Sequence, residues 1–208
     1  MNGPEERAGE GDIRIGIDGA YALAGDGAAE RYSRRVIEGV AGDYPGYKMM
    51  VYVAKMTHKR RLPLIDDLHN VEYRLPAPSG FTGRLWRLFG ITNCLQPDKI
   101  DVYHGVAGEL PLNIAAAHVA TVVSLPSDRF SAFNASGFFD IVKRFRLYVL
   151  RESLRNATLV LVSSESEKRC LVELTGLPED KIEVLTDEAF TPEALTAIYR
   201  KAIARHRD

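Results

Sequence analysis

Short runs rich in β-branched residues alternate along this chain with longer segments whose apolar residues recur at helical spacing, and that alternation most limits the fold. It is the pattern of a mostly parallel sheet with helices on both faces. Seven strands are expected, at Ile13 to Asp18, Lys48 to Ala54, Val71 to Leu75, Ile100 to His104, Ala120 to Leu125, Thr158 to Val162 and Lys181 to Leu185. Between the first two, a helix from about Ala28 to Ala41 carries Val36, Ile37 and Val40 on one stripe, and Gly42 with Tyr44-Pro45-Gly46 ends it.

An amphipathic segment around Leu85 to Phe89 precedes the fourth strand, and a long helix from about Gly137 to Asn156 leads into the sixth. Ser163 or Ser164 is placed to cap a helix running to about Thr175, where Gly176-Leu177-Pro178 stops it. Thr191-Pro192-Glu193 opens a last helix with a hydroxyl cap and a proline in the first turn. With 208 residues, 46% of them hydrophobic, the chain has material for one core, so residues 12–208 read as one α/β domain.

Charge and cysteine usage exclude several functions. Lys and Arg number 27 against 28 Asp and Glu, so nothing in the balance points to nucleic acid or an anionic membrane. Cys94 and Cys170 form no metal-ligand spacing, which predicts a reduced, cytoplasmic setting without structural zinc. Residues 1–11 are charged and glycine-rich and read as a disordered leader or tag remnant. The apolar stretches Val119 to Leu125 and Thr158 to Val162 are too short to cross a bilayer.

In an open parallel sheet ligands bind beyond the carboxyl ends of the strands, so the segments after each strand carry the candidates. After the first strand, Asp18 to Ala28 includes Gly25 and Gly27, whose backbone could approach a phosphate or sugar at a helix N-terminus. A turn that needs positive φ explains those glycines equally well. After the fourth strand come His104, Gly105 and Glu109. His104 could donate to or deprotonate a bound hydroxyl, or could be a strand-end histidine satisfied by its surroundings.

Ser124-Leu125-Pro126-Ser127-Asp128 follows the fifth strand but offers no assembled nucleophile. Ser163-Ser164-Glu165 follows the sixth, where capping is the first role and ligand binding at the domain edge the second. Lys59-Arg60-Arg61 reads as a solvated charge run, and Phe81, Trp86 and Phe89 as a helix packing its apolar face.

Six segments together resemble a known family: Ile15-Gly16-Ile17-Asp18; Arg31-Tyr32-Ser33-Arg34-Arg35; Leu85 to Asn93; Asp101-Val102-Tyr103-His104-Gly105; Gly108 to Asn113; and Val162-Ser163-Ser164-Glu165 with Lys168-Arg169. In order and approximate spacing, from about Ile13 to about Phe190, they resemble the bacterial family 4 glycosyltransferases, mannosyltransferase-like enzymes of the GT-B type. The resemblance implies a Rossmann-like domain that holds the acceptor, facing a second such domain that grips the nucleoside diphosphate sugar. It implies metal-independent transfer with retention and no resident cofactor. By the same resemblance the ligand-binding candidates are Gly25, Gly27, Arg31, Tyr32, His104, Gly105, Glu109, Ser164 and Glu165.

Three departures from the family pattern fall on the cleft side. Ala28-Ala29-Glu30 stands where the family has Gly-Ile-Gly, which predicts steric and electrostatic hindrance to a diphosphate. Pro126 and Ser127 stand where it has His-Asp, and Gly19-Ala20 where an arginine is common. The chain passes into a helix at Pro192 to His206 where the family continues into its donor domain. The expectation is an isolated acceptor-side half, engineered or degenerate, monomeric and inactive alone. Its alternatives are an acceptor subunit completed by a donor-binding domain in trans, a non-catalytic binding scaffold, and a flavodoxin-like nucleotide binder.

Overall fold

The computed structural model describes residues 13–22, 27–53, 68–74, 90–106, 108, 110–111, 116–122 and 148–208. The leader, Gly25, the Lys59-Arg60-Arg61 run, the Phe81 to Phe89 stretch, Glu109, the Ser124 to Asp128 segment and residues 137–147 of the long helix lie outside them.

Seven strands form one parallel sheet: β1 (Arg14–Asp18), β2 (Lys48–Tyr52), β3 (Val71–Arg74), β4 (Val102–Val106), β5 (Ala117–Thr121), β6 (Leu159–Val162) and β7 (Ile182–Val184). Their spatial order is β3-β2-β1-β4-β5-β6-β7, every neighbouring pair parallel. The order reverses between β1 and β4, which makes the carboxyl edge around that point a natural place for a ligand. Among the described residues the helices are α1 (Gly19–Ala22), α2 (Ala28–Asp43), α3 (Thr92–Asp98), α4 (residues 148–156), α5 (Glu165–Thr175) and α6 (Pro192–Arg207), with a 3₁₀ turn at Glu179–Lys181.

A strand buried on both faces shows no polar alternation, and its odd and even residues feed two separate cores. On one face Ile15, Ile17, Met49, Val51, Val102, Val119 and Leu161 meet Val36, Ile37 and Val40 of α2 and Leu195, Tyr199 and Ala202 of α6. On the other, Tyr52, Tyr103, Ala120, Val160 and Val162 meet Ile91 and Leu95 by α3, Leu154 of α4 and Leu171 of α5. Each fully buried aliphatic side chain contributes roughly 1.5–3 kcal/mol. Two glycines fit where a side chain would not. A Cβ at Gly19 would lie 2.5 Å from Val51 Cγ1, and one at Gly108 would lie 2.6 Å from Leu150 Cδ1.

Helix ends follow the sequence signals. Thr191 Oγ1 accepts from Ala194 N at 3.1 Å, with Pro192 in the first turn of α6. Gly176 closes α5 in the left-handed region, at φ 69°.

Two strands sit elsewhere than expected. β5 covers Ala117–Thr121 rather than Ala120 to Leu125. Its register against β4 pairs Val102 with Ala117 and Val106 with Thr121, so Ala117 and Ala120, weak in β propensity, lie inside the sheet. Tertiary pairing overrides local preference there. β4 runs two residues past His104, to Val106, because Gly105 and Val106 pair with Ala120 and Thr121.

Candidate functional site

A cleft of about 460 Å³ opens at the carboxyl ends of β5, β6 and β7, beneath the first two turns of α2. That is the size of a small-molecule site. Ala28, Arg31, Tyr32 and Arg35 line one side, at the spacing that puts residues on one helix face. Thr121, Val122, Leu161, Val162 and Ser163 form the floor, and Leu185, Asp187 and Phe190 the far wall.

The arginines differ in state. Arg35 donates from Nη2 to the carbonyls of Asp187 and Phe190, both at 3.0 Å, and its guanidinium lies 4.2 Å from the Phe190 ring centroid. Its Nη1 also approaches Asp187 Oδ1 at 3.5 Å, so Arg35 fastens the loop before α6 to α2. Arg31 is exposed on the cleft rim, and its guanidinium has no hydrogen-bond or ionic partner among the described residues. It is the cleft's uncommitted charge.

Beneath the floor lies a chain of buried hydroxyls and one imidazole. Tyr199 Oη is 2.6 Å from His104 Nδ1, His104 Nε2 is 2.6 Å from Thr121 Oγ1, and Thr121 Oγ1 is 3.0 Å from Tyr32 Oη. His104 and Tyr199 are 0% exposed, and Thr121 is 5% exposed. Burial without a charged partner lowers the His104 pKa to about 3, so the imidazole is neutral at physiological pH. Burial likewise pushes the Tyr32 and Tyr199 hydroxyls up, so both stay protonated. Edge-on ring contacts of His104 with Tyr32 and Tyr199, at 5.8 Å and 5.6 Å, fix the packing.

The candidate residues therefore separate. Arg31 and Tyr32 stand in the cleft. His104 is one hydrogen bond behind it, with both ring nitrogens engaged, which is the satisfied-histidine arrangement rather than an open base. Gly105 is buried within β4.

Gly27 precedes α2 at φ 140°, a value that side chains rarely adopt, while a Cβ there would meet nothing within 4 Å. Backbone conformation, not close approach, explains that glycine. Glu30 does not face the cleft as a repelling acid: it is 8% exposed and paired with Arg34 at 2.5 Å. The electrostatic hindrance expected of Ala28-Ala29-Glu30 is thereby removed, while the Ala28 side chain still lines the cleft.

Ser164 caps α5, its hydroxyl accepting from Glu167 N at 3.2 Å. Glu167 Oε2 turns back to accept from Ser163 N at 2.9 Å and Ser163 Oγ at 2.7 Å. The backbone N–H and hydroxyl of Ser163 and the hydroxyl of Ser164 are thus engaged within the chain itself, and Glu165 is exposed beside them. Gly25 and Glu109 lie outside the described residues.

Sequence reasoning missed Thr121, because the strand that presents it was placed three residues late. It missed Tyr199, which looks like any aromatic on an apolar stripe. Arg35 was legible only as Arg31 plus one helical turn. Among the described residues there is no cluster of metal-ligating side chains and no helix long and apolar enough to cross a membrane.

No protein-family model matches this sequence, and no curated protein matches it. Among solved structures 18 chains match. One is the crystal structure of a glycosyltransferase from Rickettsia africae ESF-5, 15% identical, with a TM-score of 0.44 over 92% of this chain and 49% of that one. This chain spans about half the length of that protein.

Proposed function

We propose that this chain is the acceptor-side, Rossmann-like half of a retaining sugar-nucleotide glycosyltransferase of the family 4, GT-B type. The observation that carries the reading is a convergence. Two segments that bear the family resemblance and lie more than a hundred residues apart meet at one cleft: Arg31, Tyr32 and Arg35 of the first line its side, and Val162 and Ser163 of the second form part of its floor. A third such segment, around His104, braces its floor. The cleft opens at the carboxyl edge of the sheet, where an acceptor would meet a sugar donor held by a facing domain.

Among the described residues lining the cleft, the carboxylate is that of Asp187, which is ion-paired with Arg35. Pro126 and Ser127 stand where the family has His-Asp, so the imidazole and carboxylate expected there are missing from those positions. The donor-binding groups come from another domain, whether in the same longer polypeptide or in a separate chain. This half has no transfer activity by itself.

A mass-detected assay with a panel of nucleoside diphosphate sugars and glycoside acceptors tests this. No turnover is expected from this chain alone. Turnover from the chain alone would overturn the reading of inactivity, and failure of every glycoside to shift the amide resonances of Arg31, Tyr32, Thr121 and Ser163 would overturn the acceptor reading.

A second reading, a non-catalytic binding module kept for its fold, is favoured by Glu167. That carboxylate accepts from the backbone N–H and hydroxyl of Ser163 at the cleft, donors that a sugar phosphate would otherwise engage. It predicts glycoside binding that no donor domain, however supplied, converts into transfer.

A further inference from the structure

Tyr199, His104, Thr121 and Tyr32 make three consecutive hydrogen bonds. With a neutral imidazole these four side chains hold four polar hydrogens, one more than three bonds consume. The surplus hydrogen must emerge at one end. At the Tyr199 end it would be sealed in, because Tyr199 is 0% exposed and has no second hydrogen-bond partner among the described residues. A buried donor left without an acceptor is destabilising, because it gives up its hydrogen bond to water for nothing in return.

The other end opens on the cleft, which both Tyr32 and Thr121 line. Tyr199 therefore donates to Nδ1, Nε2–H donates to Thr121, and one hydroxyl hydrogen of the Thr121–Tyr32 pair is left over at the cleft floor. That holds whichever of the two donates across their shared bond.

We infer that the cleft is a binding site for an oxyanion of the phosphate or carboxylate type, which accepts this leftover hydrogen and pairs with the Arg31 guanidinium. Arg35 is occupied by Asp187 and the loop carbonyls, so Arg31 leaves the cleft with one positive charge in excess. Val122, Leu161, Val162 and Leu185 supply an apolar wall for the body that carries the anion. A cleft of about 460 Å³ has room for such a body as well as the anionic group. The inference deepens the proposed acceptor-side reading by naming the ligand group. Its test reads binding and tautomer rather than transfer, so the two fail separately.

The first measurement needs no variant. Long-range ¹H–¹⁵N correlation on the full chain with ¹⁵N-labelled histidine reports which ring nitrogen of His104 bears hydrogen, with His104→Gln identifying the signal. The Nε2–H tautomer is expected; the Nδ1–H tautomer would put the leftover hydrogen at Tyr199 and overturn the inference.

The second is calorimetric titration with inorganic phosphate, phenyl phosphate and benzoate. Phenyl phosphate is expected to bind more tightly than inorganic phosphate, and the benzoate arm separates carboxylate from phosphate preference. Arg31→Gln, and Tyr32→Phe combined with Thr121→Val, which removes both hydroxyls able to carry the leftover hydrogen, are each expected to weaken the better ligand about tenfold or more, with Arg31→Gln leaving the His104 tautomer unchanged. Absence of binding by all three probes, or full affinity in both variants, overturns the inference.

Discussion

His104 could be read from sequence as a catalytic base or as a core histidine, and nothing in Tyr103-His104-Gly105 separates the two. What separates them is the company of Tyr199 and Thr121, which arrive from positions 95 and 17 residues away. The same burial makes the residue a source of acid lability. Its folded pKa of about 3 lies below the usual 6.5, so between those values the unfolded chain binds the proton and the native chain does not. Stability from this group is therefore complete above pH 6.5 and is lost as pH falls from there toward about 3. The loss amounts to about 2 kcal/mol by pH 5. Urea midpoints at pH 7 and pH 5 should fall further for the wild-type chain than for His104→Gln, which has no proton to gain. Equal falls would show that His104 contributes nothing to the acid limb.

At the scale of elements, helix ends were the most legible features and the fifth strand the least. The start of α5 could be read directly: a serine, then glutamate three residues on, is a pairing whose chemistry is local. Ser164→Ala should lower stability by about 1 kcal/mol, seen as a shift in urea midpoint with an unchanged slope. Gly27→Ala tests the other kind of helix start. At φ 140° an alanine is strained although no atom blocks its methyl group, so a cost on the order of 1–3 kcal/mol is expected. A neutral outcome would mean that the turn before α2 relaxes to another conformation.

No comparable local signal marks β5. The β-branched residues of Val119 to Leu125 draw the prediction toward the later half, while the ladder with β4 begins at Ala117. A small residue in a central strand is chosen by its neighbours on both faces, not by its own preference. The error mattered for the site, because the strand end that reaches the cleft is Thr121.

At the scale of the whole molecule, the alternation of β-branched runs with segments of helical period made the parallel sheet readable. It did not reveal what α6 covers. An amphipathic pattern shows that a helix has an apolar stripe but not which surface receives it, and α6 lies across β4, β5 and α2. Leu195, Tyr199 and Ala202 are all 0% exposed there, and Tyr199 also anchors the polar chain that ends at the cleft. The helix thus holds up both the core and the binding floor, and the two roles can be separated. Leu195→Ala removes packing alone and should cost roughly 2–5 kcal/mol while leaving the His104 tautomer intact. Tyr199→Phe keeps the ring but withdraws the donor to Nδ1, leaving that nitrogen unsatisfied in the core. A cost of about 1–3 kcal/mol is expected, together with a displaced His104 Nδ1 resonance. Ending the chain at Phe190 removes both contributions and uncovers the apolar stripe of β4 and β5. Loss of cooperative unfolding and binding of a hydrophobic dye should follow. A chain cut there that kept a dispersed amide spectrum and its wild-type urea midpoint would show that the sheet and α2 close the core unaided, leaving α6 no part in positioning the cleft.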